Sequence, residues 1–128
     1  MPGSTVKRSA RVAERVREEI AKALSRDLGD PRVAHAVVTR VDMPDDLQLA
    51  TVRVRLAVGG DDEAKRKRLM AGLTAAAGFL RKRVGASVGL RRAPELRFHY
   101  DEGQDASVRV DELLYEIRED EKARTKGE

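Results

Sequence analysis

Two histidines, His35 and His99, and a run of adjacent carboxylates, Asp61-Asp62-Glu63, are where a search of this sequence for catalysis begins. Each histidine reads as an ordinary, partly exposed strand residue, since it stands among β-branched or alternating residues. The chain has no cysteine, which removes a disulfide framework and any thiol-ligated metal. It has no H-E-x-x-H, no G-x-S-x-G and no P-loop. Three consecutive carboxylates at a helix start fan out around it. They suit an N-cap and the positive end of the helix dipole better than a metal ion. The residues therefore predict no catalysis, no cofactor and no metal site.

Arginine and lysine are what the sequence supplies. Arg81, Lys82 and Arg83 follow one another, Arg91 and Arg92 come soon after, and Arg97 follows on the next strand. A helix and the strand after it could gather these residues on one side. The guanidinium fork matches phosphate oxygens in geometry and charge, so a polyanion is the indicated partner. The competing reading is a solvated helix face. Few aromatic residues are available for exposed positions, which disfavours stacking on splayed bases and favours backbone and shape recognition.

The elements that must position these cations are legible from periodicity. Val12, Val16, Ile20, Ala23 and Leu24 recur at helical spacing, giving an amphipathic helix over about 6–28 that ends at Gly29-Asp30-Pro31. Its polar positions carry Lys7, Arg8, Arg11 and Arg15. Residues 33–43 read as a strand, and Pro44-Asp45-Asp46 as a turn. Residues 48–58 alternate, with Ala50, Val52, Val54, Leu56 and Val58 on one face and Arg53 and Arg55 on the other. A helix then starts at Asp61 or Asp62 and buries Leu69, Leu73 and Ala76. A second helical pattern, Leu80, Val84 and Val88, follows Gly78, and Gly89 closes it. Phe79, after small residues and beside Leu80, reads as packed with it. Residues 94–101 form a third strand with Leu96, Phe98 and Tyr100 inward, reached by a long helical connection that permits parallel pairing.

The chain has 128 residues, 41% of them hydrophobic and 38% charged, with two Phe, two Tyr and no Trp. One domain with an aliphatic core is expected, spanning residues 1–118: a main body over about 6–102 and a C-terminal helix over about 106–118. That last segment carries Val110, Leu113, Leu114 and Ile117, and residues 119–128 read as a disordered charged tail. The net charge of +4 is unevenly spread. Residues 101–128 hold ten acidic and five basic residues, leaving 21 basic against 12 acidic in residues 1–100, a net of +9. A basic body favours nucleic acid mildly. No apolar run suggests a membrane span or a secretory signal, so a cytoplasmic setting is expected.

The order helix, strand, strand, helix, helix, strand is that of the type II KH fold, an α+β RNA-binding architecture with helices on one face of a three-stranded sheet. An ordinary KH module carries G-x-x-G between its central helices, where backbone meets backbone. This sequence has no G-x-x-G and shows Ala76-Ala77-Gly78 at that junction. That A-x-G, with "FLRKRVG" after it, "RVAERVREEIAKAL…DPRV" at the start and the strand "LQLATVRVRL", resembles the ribosome-binding factor A family. The most specific part is R-x-P-E-L-x-F-x-x-D, Arg92 to Asp101, and the likeness covers about residues 7–118.

The resemblance implies an interhelical kink at Ala76 and Gly78, bending the chain between two short helices. The alternative is one continuous helix that tolerates a glycine. It also implies a non-catalytic assembly factor that binds the small ribosomal subunit and 16S rRNA late in maturation, near the decoding region. Support for 5′-end processing and for growth in the cold goes with it, and so does a small-subunit assembly GTPase as a further partner. On that basis Arg81, Lys82, Arg83, Arg91 and Arg92 are expected on rRNA phosphates, with Arg53, Arg55, Lys7, Arg8, Arg11 and Arg15 extending the footprint. A monomer with no membrane partner is expected. Two other readings stay open: a general KH-like RNA-binding module, and a protein-interaction domain that uses the C-terminal helix.

Overall fold

The computed structural model describes residues 7–103. The expected C-terminal helix and charged tail lie outside the described residues. Helix α1 (Arg8–Lys22) buries Val12, Ala13, Val16 and Ile20. It runs on into a wider π-turn over Ala23–Asp27, in which the Leu28 N–H donates to the Ala23 carbonyl at 3.2 Å. Gly29 then takes a positive φ of 61° and ends the helical run, as its place after the last apolar residue predicts.

A short 3₁₀ turn, Pro31–Val33, leads into strand β1 (Ala36–Asp42). Strand β1 therefore starts later than the apolar run suggests, because Pro31 at the head of the turn and the Asp30 cap hold Val33 in helical geometry. Strand β2 (Leu49–Leu56) pairs with it antiparallel. A bulge between Val38 and Arg40 sets two residues of β1 against one of β2. It turns both Val38 and Val41 to the core despite their odd spacing. On β2 the alternation holds for Ala50, Val52, Val54 and Leu56, all buried. Val58 departs from the expectation: it lies beyond the strand end at Leu56, past a last backbone hydrogen bond from the Ala57 N–H to the His35 carbonyl, and is 69% exposed.

Helix α2 (Glu63–Val88) follows, and strand β3 (Glu95–Tyr100) then lies parallel to β2 in the order β1-β2-β3. The 26-residue α2 is one hydrogen-bonded helix where the sequence suggested two: it runs unbroken through Ala76 and Gly78. Leu69, Leu73, Ala76, Leu80, Val84 and Val88 are spaced 4, 3, 4, 4 and 4, one winding stripe that a single helix can bury. A Cβ placed on Gly78 would meet nothing within 4 Å, so close packing does not require that glycine. The tight approaches are at two others. A Cβ on Gly72 would stand 2.9 Å from Val33 Cγ1 and 3.0 Å from Arg32 Cβ, and one on Gly85 would stand 3.0 Å from Ala93 Cβ. The helix ends where Gly89 adopts φ 72°.

Both helices cover one face of the sheet, and the core between them is aliphatic, with Ile20, Leu69, Leu73 and Leu80 fully buried. Phe98 and Tyr100 pack at its edge, where the Tyr100 hydroxyl accepts from the Leu56 N–H at 3.2 Å.

Candidate nucleic-acid interface

From Ala64 to Pro94 the chain contains nine Lys and Arg and no Asp or Glu. Helix α2 and the loop after it therefore bring only cations of their own to the surface, though Asp27 and Glu102 from neighbouring segments pair with two of them. At its start Asp62 caps the helix, accepting from the N–H groups of Ala64 and Lys65 at 2.9 and 3.3 Å. Lys65, Arg66, Lys67 and Arg68 come next, at the end where the dipole disfavours cations. Arg66 is engaged locally: it donates to the Gly60 carbonyl, lies 3.5 Å from Glu102, and sits over the Tyr100 ring at 4.3 Å. Lys65, Lys67 and Arg68 are exposed.

The other end of α2 holds Arg81, Lys82 and Arg83, but not on one side. Consecutive helical residues are about 100° apart, so three in a row spread over more than half the circumference. Arg81 turns toward the following loop and donates to the Ala93 carbonyl at 3.2 and 3.4 Å. This braces the segment that carries the exposed Arg91 and Arg92. Arg83 turns the opposite way and forms an ion pair with Asp27 at the end of the α1 run. Lys82 points to solvent between them.

Arg15 joins this end of α2, because its Nη2 donates to the Ser87 carbonyl at 3.3 Å. Lys7, Arg8 and Arg11 are exposed at the start of α1, on the turns preceding it. Arg15, Lys82, Arg83 and the Arg91–Arg92 loop thus gather around the C-terminal half of α2. Arg53 and Arg55 do not join them. They project from the sheet face that the helices leave open, where Arg53 stands in register between Arg40 and His99. Asp42 offsets the like charges of Arg40 and Arg53, 2.8 Å from the first and 4.0 Å from the second.

Phe79 departs from its expected place in the packed half of the helix, since it is 47% exposed. The sequence does carry the signal. Phe79 is out of phase with Leu69, Leu73, Leu80 and Val84, and a break assumed at Gly78 hides only the first two mismatches. Among the described residues, no group of three or more His, Cys, Asp or Glu could hold a metal ion. None of the described helices is long and apolar enough to cross a membrane.

The family model for ribosome-binding factor A matches residues 8–114 of this sequence. The chain belongs to the ribosome-binding factor A family. A ribosome-binding factor A of Sorangium cellulosum is 54% identical over 114 residues, 89% of this chain and 91% of that protein. One of Pelobacter propionicus is 43% identical over 111 residues, covering 87% and 88%. Among solved structures, the crystal structure of ribosome-binding factor A from Thermus thermophilus superposes with a TM-score of 0.62 at 22% identity, over 72% of this chain and 93% of that one. A solution structure of a putative ribosome-binding factor A from Thermotoga maritima gives 0.61 at 29% identity, over 72% and 85%. A homology model of the Thermus thermophilus ribosome-binding factor A, as fitted into the cryo-EM map of a 30S complex, gives 0.57 at 23%, over 71% and 92%.

Proposed function

We propose that this protein binds the small ribosomal subunit through 16S rRNA as a non-catalytic assembly factor. The observation that carries this is the run of nine cations and no acid along α2 and its following loop, which Arg15 joins from α1, in a chain of the ribosome-binding factor A family. A relative of the same fold has been placed in a 30S complex, and that supports the choice of partner. Lys82, Arg83, Arg91, Arg92 and Arg15 contact phosphates, Lys7, Arg8 and Arg11 extend the contact along α1, and Arg81 positions the Arg91–Arg92 loop. Arg53 and Arg55 lie on the far side of the sheet, outside that surface, and reach RNA only where it wraps the sheet edge. Action late in maturation, support of 5′-end processing and cold growth, a small-subunit assembly GTPase as partner, and a cytoplasmic monomer complete the reading.

Co-sedimentation with small subunits, large subunits and bare RNA at two salt concentrations tests it. Stronger retention on small subunits than on large subunits or bare RNA is expected. Equal binding to every RNA would move the protein to general KH-like RNA binding, and binding to none would overturn the proposal.

A further inference from the structure

Among the described residues, Phe79 is the one aromatic ring that the helical layer turns to solvent, and it stands within the basic surface. A helical side chain leans over the residues three and four positions before it. For Phe79 these are Ala76 and Ala75, whose methyl groups leave the ring uncovered. The position before it is Gly78, beside which a Cβ would meet nothing within 4 Å. One turn further on are Lys82 and Arg83, at the spacings that put side chains on a common flank. That flank is the one turned to α1, as the Arg83–Asp27 pair and the Arg15 contact to Ser87 establish. An exposed aromatic ring with small residues around it and cations one turn away is suited to one ligand chemistry. A nucleobase stacks on the ring while the phosphates on either side meet the cations. A smooth duplex hides its base faces and gains nothing from Phe79.

Resting on the nucleic-acid reading above, we infer that Phe79 stacks on an unpaired base of the RNA, so that the site takes an RNA with at least one splayed nucleotide. This revises the expectation that the surface reads backbone and shape alone.

The test uses the whole chain and two RNA probes of equal phosphate count: an unstructured RNA carrying 2-aminopurine and a blunt RNA duplex. Wild type, Phe79→Ala and Phe79→Trp are compared. Phe79 is outside the core, so Phe79→Ala is expected to fold, and circular dichroism checks this. The wild type is expected to prefer the unstructured RNA and to change its 2-aminopurine fluorescence on binding. Phe79→Ala should bind that RNA about ten-fold more weakly, with the salt slope and the duplex affinity unchanged. Phe79→Trp should retain binding. If Phe79→Ala binds both probes as tightly as the wild type, or loses affinity for both equally, the stacking role is overturned while RNA binding stands. If the wild type binds neither probe nor small subunits, the nucleic-acid reading itself fails, and the inference with it.

Discussion

Gly72 and Gly78 lie six residues apart in one helix, and their surroundings predict opposite effects of adding a methyl group. At Gly72 the new Cβ would press on Val33 and Arg32, so Gly72→Ala should destabilise the fold by about 1–3 kcal/mol. At Gly78 there is open space in a helical backbone, so Gly78→Ala should stabilise it by about 1 kcal/mol. Urea unfolding of the two variants measures both signs. A destabilised Gly78→Ala would mean that the helix bends there after all. Asp30 gives a pH prediction at the same scale. The Arg32 side chain, and after it the Arg32 N–H, donate to its carboxylate and hold it below its ordinary 3.8. A lowered pKa stabilises the folded state above the ordinary carboxylate range, and the effect is lost as pH falls through the lowered value. Val33 methyl resonances should therefore shift on acidification in the wild type, and much less in Asp30→Asn.

At the scale of elements, the two faces of β2 are legible in the sequence because a strand alternates with period 2, and Ala50, Val52, Val54 and Leu56 obey it. Val58 is misplaced by the same rule because periodicity does not announce where pairing ends. Helix α2 is harder to read. Its glycines suggest breaks, and a stripe with spacings mostly of four winds around the helix, so its two ends look like separate patterns. Which cations share a flank is not legible at all. It depends on Arg15 reaching Ser87 and Arg83 reaching Asp27, contacts made across helices. Those contacts predict a functional asymmetry. Charge reversal at Arg15 and Lys82 should lower small-subunit affinity and flatten its salt dependence by about 0.7–0.9 in log–log slope for each phosphate no longer neutralised. Arg53→Glu, on the open sheet face, should change neither by much. Titrations at several salt concentrations would show the difference, and equal effects from both faces would contradict it. Within the core, Leu73→Ala should cost about 2–5 kcal/mol, since Leu73 is fully buried, and thermal unfolding would measure it.

At the scale of the molecule, the sheet separates two surfaces of different character. The helical side carries the acid-free run from Ala64 to Pro94 and the basic turns of α1. The open side sets Arg40 and Arg97 beside Asp42 and Glu95, the latter 3.6 Å from Arg97; on the helical side Arg83 and Arg66 are likewise paired, with Asp27 and Glu102, but Lys82, Arg91 and Arg92 stand exposed. A polyanion should therefore meet the helical side. The most direct measurement is site-specific photocrosslinking from two positions, Lys82 on α2 and Arg53 on the sheet, each replaced by a photoreactive residue in protein bound to small subunits. Crosslinks to 16S rRNA from position 82 and none from position 53 are the predicted result. Crosslinks to rRNA from position 53 alone would contradict the account, because the RNA would then lie on the face that the helices leave open.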